Sequence, residues 1–147
     1  MVKDGDSMAS INDKDLAEFL AGIKTIAVVG LSTDQHKASY RVAAYLQSQG
    51  YELVPVNPNA RMVLGRKPAA RLRDVEDAID LVDVFRPAKE VPEIMQDAIA
   101  IRAKAVWLQS GITHQEAEQQ GIDAGLLVVS DRCLMKEHQR LLSRAQL

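Results

Sequence analysis

Cysteine pairs, long apolar runs and an excess of one charge sign are all missing from this sequence. The 147 residues include one cysteine, Cys133, so neither an internal disulfide nor a cysteine-rich metal site can form. No apolar run approaches the roughly 20 residues of a membrane-spanning helix, and the polar residues 1–10 do not resemble a signal peptide. Because 18 Lys and Arg oppose 20 Asp and Glu, a broad basic surface for nucleic acid is excluded. We therefore expect a cytoplasmic protein whose partners include neither nucleic acid nor a membrane.

The composition is that of one globular domain. Apolar residues make up 47% of the chain and charged residues 26%, which argues against disorder. A chain of 147 residues typically forms one domain with a sizeable core. Since no repeat and no Pro/Gly/Ser-rich linker divides it, we predict a mobile N-terminus at residues 1–10 and a single domain over residues 11–147.

Short apolar runs alternate with segments of helical periodicity along the chain. The runs predict five buried strands at residues 25–30, 51–56, 80–85, 104–109 and 125–130. The periodic segments predict helices at 12–22, 40–49, 90–103 and 134–143, with Asn12 and Ser39 as caps of the first two. A short helical piece is expected near 74–78, and Thr113 with Glu116 forms a capping box that opens one more helix. The alternation predicts an α/β fold with a single doubly wound, Rossmann-like, mostly five-stranded parallel sheet and helices on both faces.

The loop after the first predicted strand has the features of a phosphate site. Gly30 permits a sharp turn and a close ligand approach. Ser32 and Thr33 supply hydroxyls, Lys37 supplies a positive charge, and the helix after Ser39 presents free N–H groups and a positive dipole end. In doubly wound sheets, ligands bind at this carboxyl edge of the strands. The sequence therefore predicts phosphate binding here, with a tight turn and a simple helix cap as the alternative.

The second loop is basic, whereas a conventional dinucleotide site is disfavoured. No second or third glycine follows Gly30 before the helix, and the second strand ends without an acid for a ribose. Residues 53–73 contain no acid, which favours a ligand with several phosphates. Its cations are Arg61, Arg66, Lys67, Arg71 and Arg73. For the outermost two, Arg71 and Arg73, a solvated basic surface is the alternative.

The later strand ends offer further side chains to a ligand. Phe85 is placed either to stack on an aromatic base or to belong to the core, and Arg86 is placed to pair with a phosphate. Trp107 and Gln109 share one face of their strand, with Trp107 predicted in the core and Gln109 predicted to hydrogen-bond a ligand amide. Gly111 permits close approach.

Cys133 stands at the start of the last predicted helix, where a cysteine can become a reactive thiolate. His138 follows five residues later, so helical spacing does not assure a Cys–His pair. The alternative is a half-buried cysteine and a packed histidine. Because His36 and His114 form no metal-ligand spacing with Cys133, we expect no metal site, and we assign no catalytic residue.

Several segments, in order along the chain, carry a resemblance to a known family. They are residues 27–32, Lys37 with 39–42, 56–58, 64–67, 82–87, 105–109, and 131–133 with 137–138. Together they resemble the small single-domain coenzyme A-binding proteins, which are similar to the CoA-binding, Rossmann-like domain of the succinyl-CoA synthetase alpha subunit. The resemblance covers nearly everything from residue 25 to about residue 142.

This resemblance implies that coenzyme A lies across the strand ends. The loop after Gly30 and the helix start would meet the pyrophosphate, while Lys37, Arg41 and the basic loop would neutralise phosphates, including the 3′-phosphate. Asn57, Phe85 and Arg86 would border the adenosine, and the strand end at Gln109 would lie nearer the pantetheine. The full set of implied contacts is Gly30, Leu31, Ser32, Thr33, Lys37, Ser39, Tyr40, Arg41, Asn57, Pro58, Phe85, Arg86, Gln109 and Gly111.

Three functions remain open at this point. The first is a module that binds, senses or carries coenzyme A or an acyl-CoA. The second is a thiol or acyl-transfer enzyme that uses Cys133, and the third is an NADP-type nucleotide binder. We expect no ligase activity, because no stretch after the last predicted helix corresponds to the synthetase's second domain with its phosphorylated histidine. A homodimer through a sheet edge or helix face also stays open.

Overall fold

A computed structural model of the chain describes residues 11–59 and 61–143. Five strands form one parallel sheet in the order β2-β1-β3-β4-β5, which confirms the predicted fold class. The strands are β1 Thr25–Val29, β2 Glu52–Val56, β3 Leu81–Val84, β4 Ala105–Leu108 and β5 Leu127–Val129. The predicted mobile N-terminus, residues 1–10, lies outside the described residues.

Helices cover both faces of the sheet, as the apolar strands require. They are α1 Asp13–Gly22, α2 Ala38–Ser48, α3 Val91–Ala100, α4 Gln115–Asp123 and α5 Leu134–His138. Two 3₁₀ turns, Leu72–Asp74 and Ala88–Glu90, and a π-helical turn, Gln139–Ser143, complete the described elements. No helix in residues 11–59 and 61–143 is long and apolar enough to cross a membrane.

Each face of the sheet has its own apolar core. Val82 and Val84 of β3 pack with Met95 of α3 and Ala117 of α4 on one face. Leu81 of the same strand packs on the other face, where α1, α2 and α5 lie. This alternation places Asp83 on the face of α1, α2 and α5, because successive strand residues point to opposite sides.

One of the two predicted side-chain caps is present in the structure, and the other is displaced. Asn12 does cap α1, since its Oδ1 accepts the N–H of Asp15 at 2.8 Å. Ser39, however, lies inside α2, which begins at Ala38 with Lys37 as its N-cap residue. The hydroxyl of Ser39 instead accepts the N–H of Ser32 at 3.0 Å and so ties the preceding loop to the helix.

The capping box that was predicted at Thr113 and Glu116 is wrong by one residue at its start. His114 is the N-cap of α4, and its Nδ1 accepts the N–H of Ala117 at 3.1 Å. Glu118 in turn accepts the N–H of His114 at 2.8 Å. A reciprocal pair of bonds is therefore present, but an imidazole nitrogen replaces the expected threonine hydroxyl. Glu118, one position beyond that of a capping box, replaces the expected Glu116.

Other predicted boundaries also shift. The helical piece expected near 74–78 is a 3₁₀ turn at Leu72–Asp74, and the last predicted helix is α-helical only over Leu134–His138. Ends of this kind depend on which carbonyls find tertiary partners, so local periodicity does not determine them.

Candidate functional site

The carboxyl ends of β1, β2 and β3 form one edge at the point where the strand order reverses. The chain passes from β1 outward to β2 and then returns to β3 on the opposite side of β1. Gly30 donates its N–H to the carbonyl of Val56 at 2.8 Å, and Phe85 donates its N–H to the carbonyl of Val29 at 2.9 Å. These bonds place the first residues after all three strands side by side, where open α/β sheets bind their ligands.

Gly30 has a backbone that other residues rarely adopt, with φ of 90°. A Cβ built on it would lie 2.8 Å from Cδ of Arg86 and 3.3 Å from the carbonyl oxygen of Phe85. The aliphatic part of Arg86 therefore lies directly across Gly30. Both the turn and this contact require glycine at the position.

The loop from Leu31 to Lys37 is organised by its own short side chains. The hydroxyl of Ser32 accepts the N–H of Asp34 at 2.9 Å, and the carboxylate of Asp34 accepts the N–H of His36 at 2.9 Å. Asn57 donates to the carbonyl of Leu31 at 3.0 Å, which attaches the loop to the end of β2. Because the Ser32 hydroxyl accepts in its bond with Asp34 through a lone pair, it keeps its proton to donate to a ligand.

The beginning of α2 supplies positive charge to this edge. Lys37 and Arg41 are exposed, and the first turn of the helix contains no acid. Arg41 donates to the carbonyl of His36 at 2.5 Å, so its guanidinium is held over the loop. Tyr40 is half-buried and packs against the core on this face. Lys37 and Arg41 are the cations of this helix start.

A cavity of about 270 Å³ opens between the ends of β1 and β2 and helix α3. Val29 and Val56 contribute apolar lining, and Arg86 lines the cavity together with Gly30. The remaining lining residues are Asn57, Pro58, Asn59, Ala70, Arg71, Leu72, Glu90, Glu93, Ile94 and Asp97. The cavity thus combines apolar walls with two guanidinium groups and three carboxylates.

Most of the basic second loop is paired with acids, which the sequence did not reveal. Arg66 contacts Asp77 at 3.2 Å. Arg73 contacts Asp97 on α3 at 3.1 Å, and Arg71 contacts the same carboxylate at 3.8 Å. Asp97 is 4% exposed, so these two arginines compensate a buried charge and fasten the loop to α3. The alternative to phosphate binding for Arg71 and Arg73 is therefore a structural ion pair rather than a solvated surface.

Arg86 is held by Glu90, four residues further along the chain. Nη2 of Arg86 lies 2.7 Å from Oε2 of Glu90, and Nε lies 3.0 Å from Oε1. These two bonds raise the pKa of Arg86 and lower the pKa of Glu90 from their ordinary values. The pair closes one side of the cavity.

The predicted ligand residue Gln109 is 5% exposed, and both ends of its amide contact protein. Its Nε2 donates to Oδ1 of Asp83 at 2.5 Å, and its Oε1 accepts the N–H of Leu134 at 3.4 Å. Asp83 is fully buried, its Oδ2 has no hydrogen-bond partner within the described residues, and burial raises its pKa to about 7. Sequence reasoning missed Asp83, although a single acid inside a buried strand was the available signal.

Cys133 and His138 lie at opposite ends of α5 and do not form a pair. Cys133 is the N-cap residue and packs partly against the core. His138 is buried, its Nδ1 lies 2.7 Å from the hydroxyl of Tyr45, and burial lowers its pKa. The structure therefore favours the half-buried cysteine and the packed histidine.

The other aromatic and turn residues near β4 also have clear positions. Trp107 is 1% exposed and donates from Nε1 to the carbonyl of Arg132 at 2.8 Å, which confirms its core position. Phe85 is half-buried against the core of α1, α2 and α5. Gly111 is exposed and donates its N–H to Asp131 at 2.7 Å. Within the described ranges, no group of three or more His, Cys, Asp or Glu could hold a metal ion.

Comparison with known sequences and structures decides the family. The family described as "CoA binding domain" matches residues 24–139. The chain belongs to this CoA-binding domain family. The match includes every element from β1 to α5 and all the loops of the site.

Relatives of the CoA-binding domain family extend over different shares of this chain. YneT of Bacillus subtilis is 34% identical over 131 residues, which are 89% of this chain and 97% of that protein. An ADP-forming acetate–CoA ligase II of Archaeoglobus fulgidus is 33% identical over 95 residues, which are 63% of this chain but 14% of the ligase. The structure of cell-free ID.343 from Thermus thermophilus has a TM-score of 0.87 and 42% identity, covering 90% of this chain and 100% of that one. This chain is thus similar in extent to small proteins and corresponds to a small part of the ligase.

Proposed function

We propose that this protein binds coenzyme A or an acyl-CoA at the carboxyl ends of β1, β2 and β3, as a binding, sensing or carrier module. The observation that carries the proposal is the arrangement around Gly30, where a close-approach glycine, two hydroxyls and the start of α2 meet. These groups suit the phosphates of a nucleotide, because helix N-termini and adjacent N–H groups favour anions. Membership of the CoA-binding domain family supports coenzyme A as this nucleotide.

The pyrophosphate is assigned to the α2 side of this edge. Lys37 and Arg41 lie at the helix start and have no carboxylate in ion-pair contact among residues 11–59 and 61–143. Arg71 and Arg73, in contrast, already contact Asp97. Lys37 and Arg41 are therefore available to attract an incoming polyphosphate.

The adenosine is assigned to the cavity beside α3. Asn57, Pro58 and Arg86 line this cavity. Its volume of about 270 Å³ suits a compact nucleoside better than an extended chain of phosphates. The carboxylates of Glu93 and Asp97 in its α3 wall can accept hydrogen bonds from amino or hydroxyl groups. The pantetheine arm then leads past the loop at Ser32 toward the β4 end near Gly111.

The two alternatives have less support in the geometry. An enzyme using Cys133 would lack a histidine partner, since His138 is bonded to Tyr45 at the far end of α5. An NADP-type binder would lack the second and third glycines of a dinucleotide-binding loop, since no glycine lies between Gly30 and α2. Each alternative has its own outcome in the binding experiment.

Thermal unfolding with added ligand tests the proposal. Coenzyme A at about 100 times its Kd is expected to add ~2.7 kcal/mol of stability, a Tm rise of very roughly 5–15 °C for a chain of this size. Dephospho-coenzyme A, acetyl-CoA, NAD and NADPH are measured beside it. A shift with NADPH and none with coenzyme A would contradict the proposal. A coenzyme A adduct on Cys133 in mass spectrometry after mild oxidation would favour thiol chemistry.

Two lysine variants test where the phosphates bind. Lys37→Ala is expected to weaken coenzyme A binding by ~1.5–3 kcal/mol, the contribution of a hydrogen bond to a charged group. Lys24→Ala is the matched control, because Lys24 is also exposed but precedes β1 at the opposite edge of the sheet. Equal affinities for both variants would place the phosphates elsewhere.

A further inference from the structure

The side chain of Arg86 is fixed by two contacts of opposite kinds. Its methylene groups cover Gly30, where Cδ stands 2.8 Å from the position that a Cβ would occupy. Its guanidinium is bound by both carboxylate oxygens of Glu90, at 2.7 and 3.0 Å. Arg86 therefore occupies the space above the glycine on which the proposed phosphate site depends.

Glu90 uses the hydrogen-bonding edge of Arg86 that a phosphate would use. A guanidinium recognises carboxylate and phosphate through the same parallel pair of N–H donors. In this structure Nε and Nη2 of Arg86, which form one such pair, both point to Glu90. A ligand phosphate can engage this fork only when it replaces the carboxylate.

The acids near Glu90 already share the other guanidinium of the cavity. Glu93 and Asp97 line the same cavity wall on α3, and both contact Arg71. Arg71 is therefore already shared between two acids, and Glu90 forms its ion pair with Arg86.

We infer that Glu90 is a specificity-determining residue of the site, whose carboxylate competes with a phosphate of the ligand for Arg86. The inference rests on the proposed binding of coenzyme A. Glu90 keeps Arg86 folded over Gly30 while the site is empty, and the ligand phosphate takes its place on the guanidinium. Glu90 thereby lowers the affinity for anionic ligands in general and favours those with a phosphate placed to compete for this fork.

The experiment compares Glu90→Gln with Glu116→Gln by isothermal titration with coenzyme A at low ionic strength. Glu116 lies in the first turn of α4, so its replacement removes the same charge near the start of another helix. Arg86 and Glu90 side chains are 46% and 37% exposed, so a gain in affinity of roughly two- to fivefold is expected for Glu90→Gln, the range for exposed ion pairs. Glu116→Gln is expected to leave the Kd unchanged.

A double-mutant cycle separates competition from general electrostatics. Glu90→Gln is introduced into Arg86→Ala, and the inference requires that it then no longer changes the Kd. If the gain persists without Arg86, or if Glu90→Gln weakens binding in the natural background, the inference is overturned. Thermal unfolding without ligand confirms that each variant is folded.

The cycle also distinguishes failure of this inference from failure of the proposed function. If the natural protein does not bind coenzyme A, the proposed function fails. If it binds, and Arg86→Ala weakens binding while Glu90→Gln has no effect, only the role of Glu90 is wrong.

Discussion

Replacing Asp83 with asparagine tests whether a buried acid makes the stability of this protein depend on pH. Asp83 is fully buried and its Oδ2 has no partner among the described residues, so the folded protein disfavours its ionised form. Burial raises its pKa from 3.8 to about 7. In the folded state the proton is therefore retained up to about neutral pH, whereas the unfolded chain releases it near pH 4.

The sign and size of the effect follow from this difference. Between the two pKa values the folded state binds more protons than the unfolded state, so the free energy of unfolding falls as pH rises. The contribution of Asp83 to the free energy of unfolding is fully present below about pH 4 and is lost as pH rises through about 7. A shift of about three pKa units corresponds to about 4 kcal/mol, since each unit is worth about 1.4 kcal/mol.

Urea denaturation of the natural protein and Asp83→Asn between pH 4.5 and 8.5 measures this contribution. The asparagine carbonyl can still accept from Gln109, and its amide replaces the protonated oxygen, so the variant resembles the neutral acid at every pH. The two proteins are expected to differ little at the acidic end. At pH 8 the variant is expected to be more stable by up to about 4 kcal/mol.

Asp97→Asn is the matched control, because Asp97 is also buried but contacts Arg71 and Arg73. Its loss leaves two arginines without their shared acid, so stability at pH 8 is expected to fall rather than rise. If stability changes with pH in the same way for the natural protein and for Asp83→Asn, the argument that burial raises the pKa of Asp83 is refuted.

Two further substitutions test the packing that supports the site. Gly30→Ala is expected to cost about 1–3 kcal/mol of stability through its strained backbone and to weaken coenzyme A binding, because its Cβ meets Arg86. Gly22→Ala, where a Cβ has nothing within 4 Å, is expected to cost nothing in chemical denaturation. Leu134→Ala is expected to lose about 2–5 kcal/mol, since Leu134 is fully buried at the start of α5. A loss below 1 kcal/mol there would mean that α5 repacks.

The candidate site was partly predictable from the sequence. Gly30 and Asn57 follow directly after β1 and β2, and Arg86 is the second residue after β3, so recognising three strands was enough to place them at one edge. Gln109 was placed at the correct strand end, but its side chain turns inward to Asp83, a residue 26 positions earlier in the chain. No local pattern reports such a partner, because it is brought near only when β3 and β4 pair.

Local patterning by itself determined the element types and the layers of this protein. Continuous apolar runs such as Ile26–Val29 are buried on both faces, which only a sheet covered by helices on each side can provide. Tertiary structure alone decided which charged groups of the site form ion pairs. Arg71 and Arg73 of the basic loop form ion pairs because α3 brings Asp97 to them. Coulomb energy depends on distance in space rather than on separation along the chain.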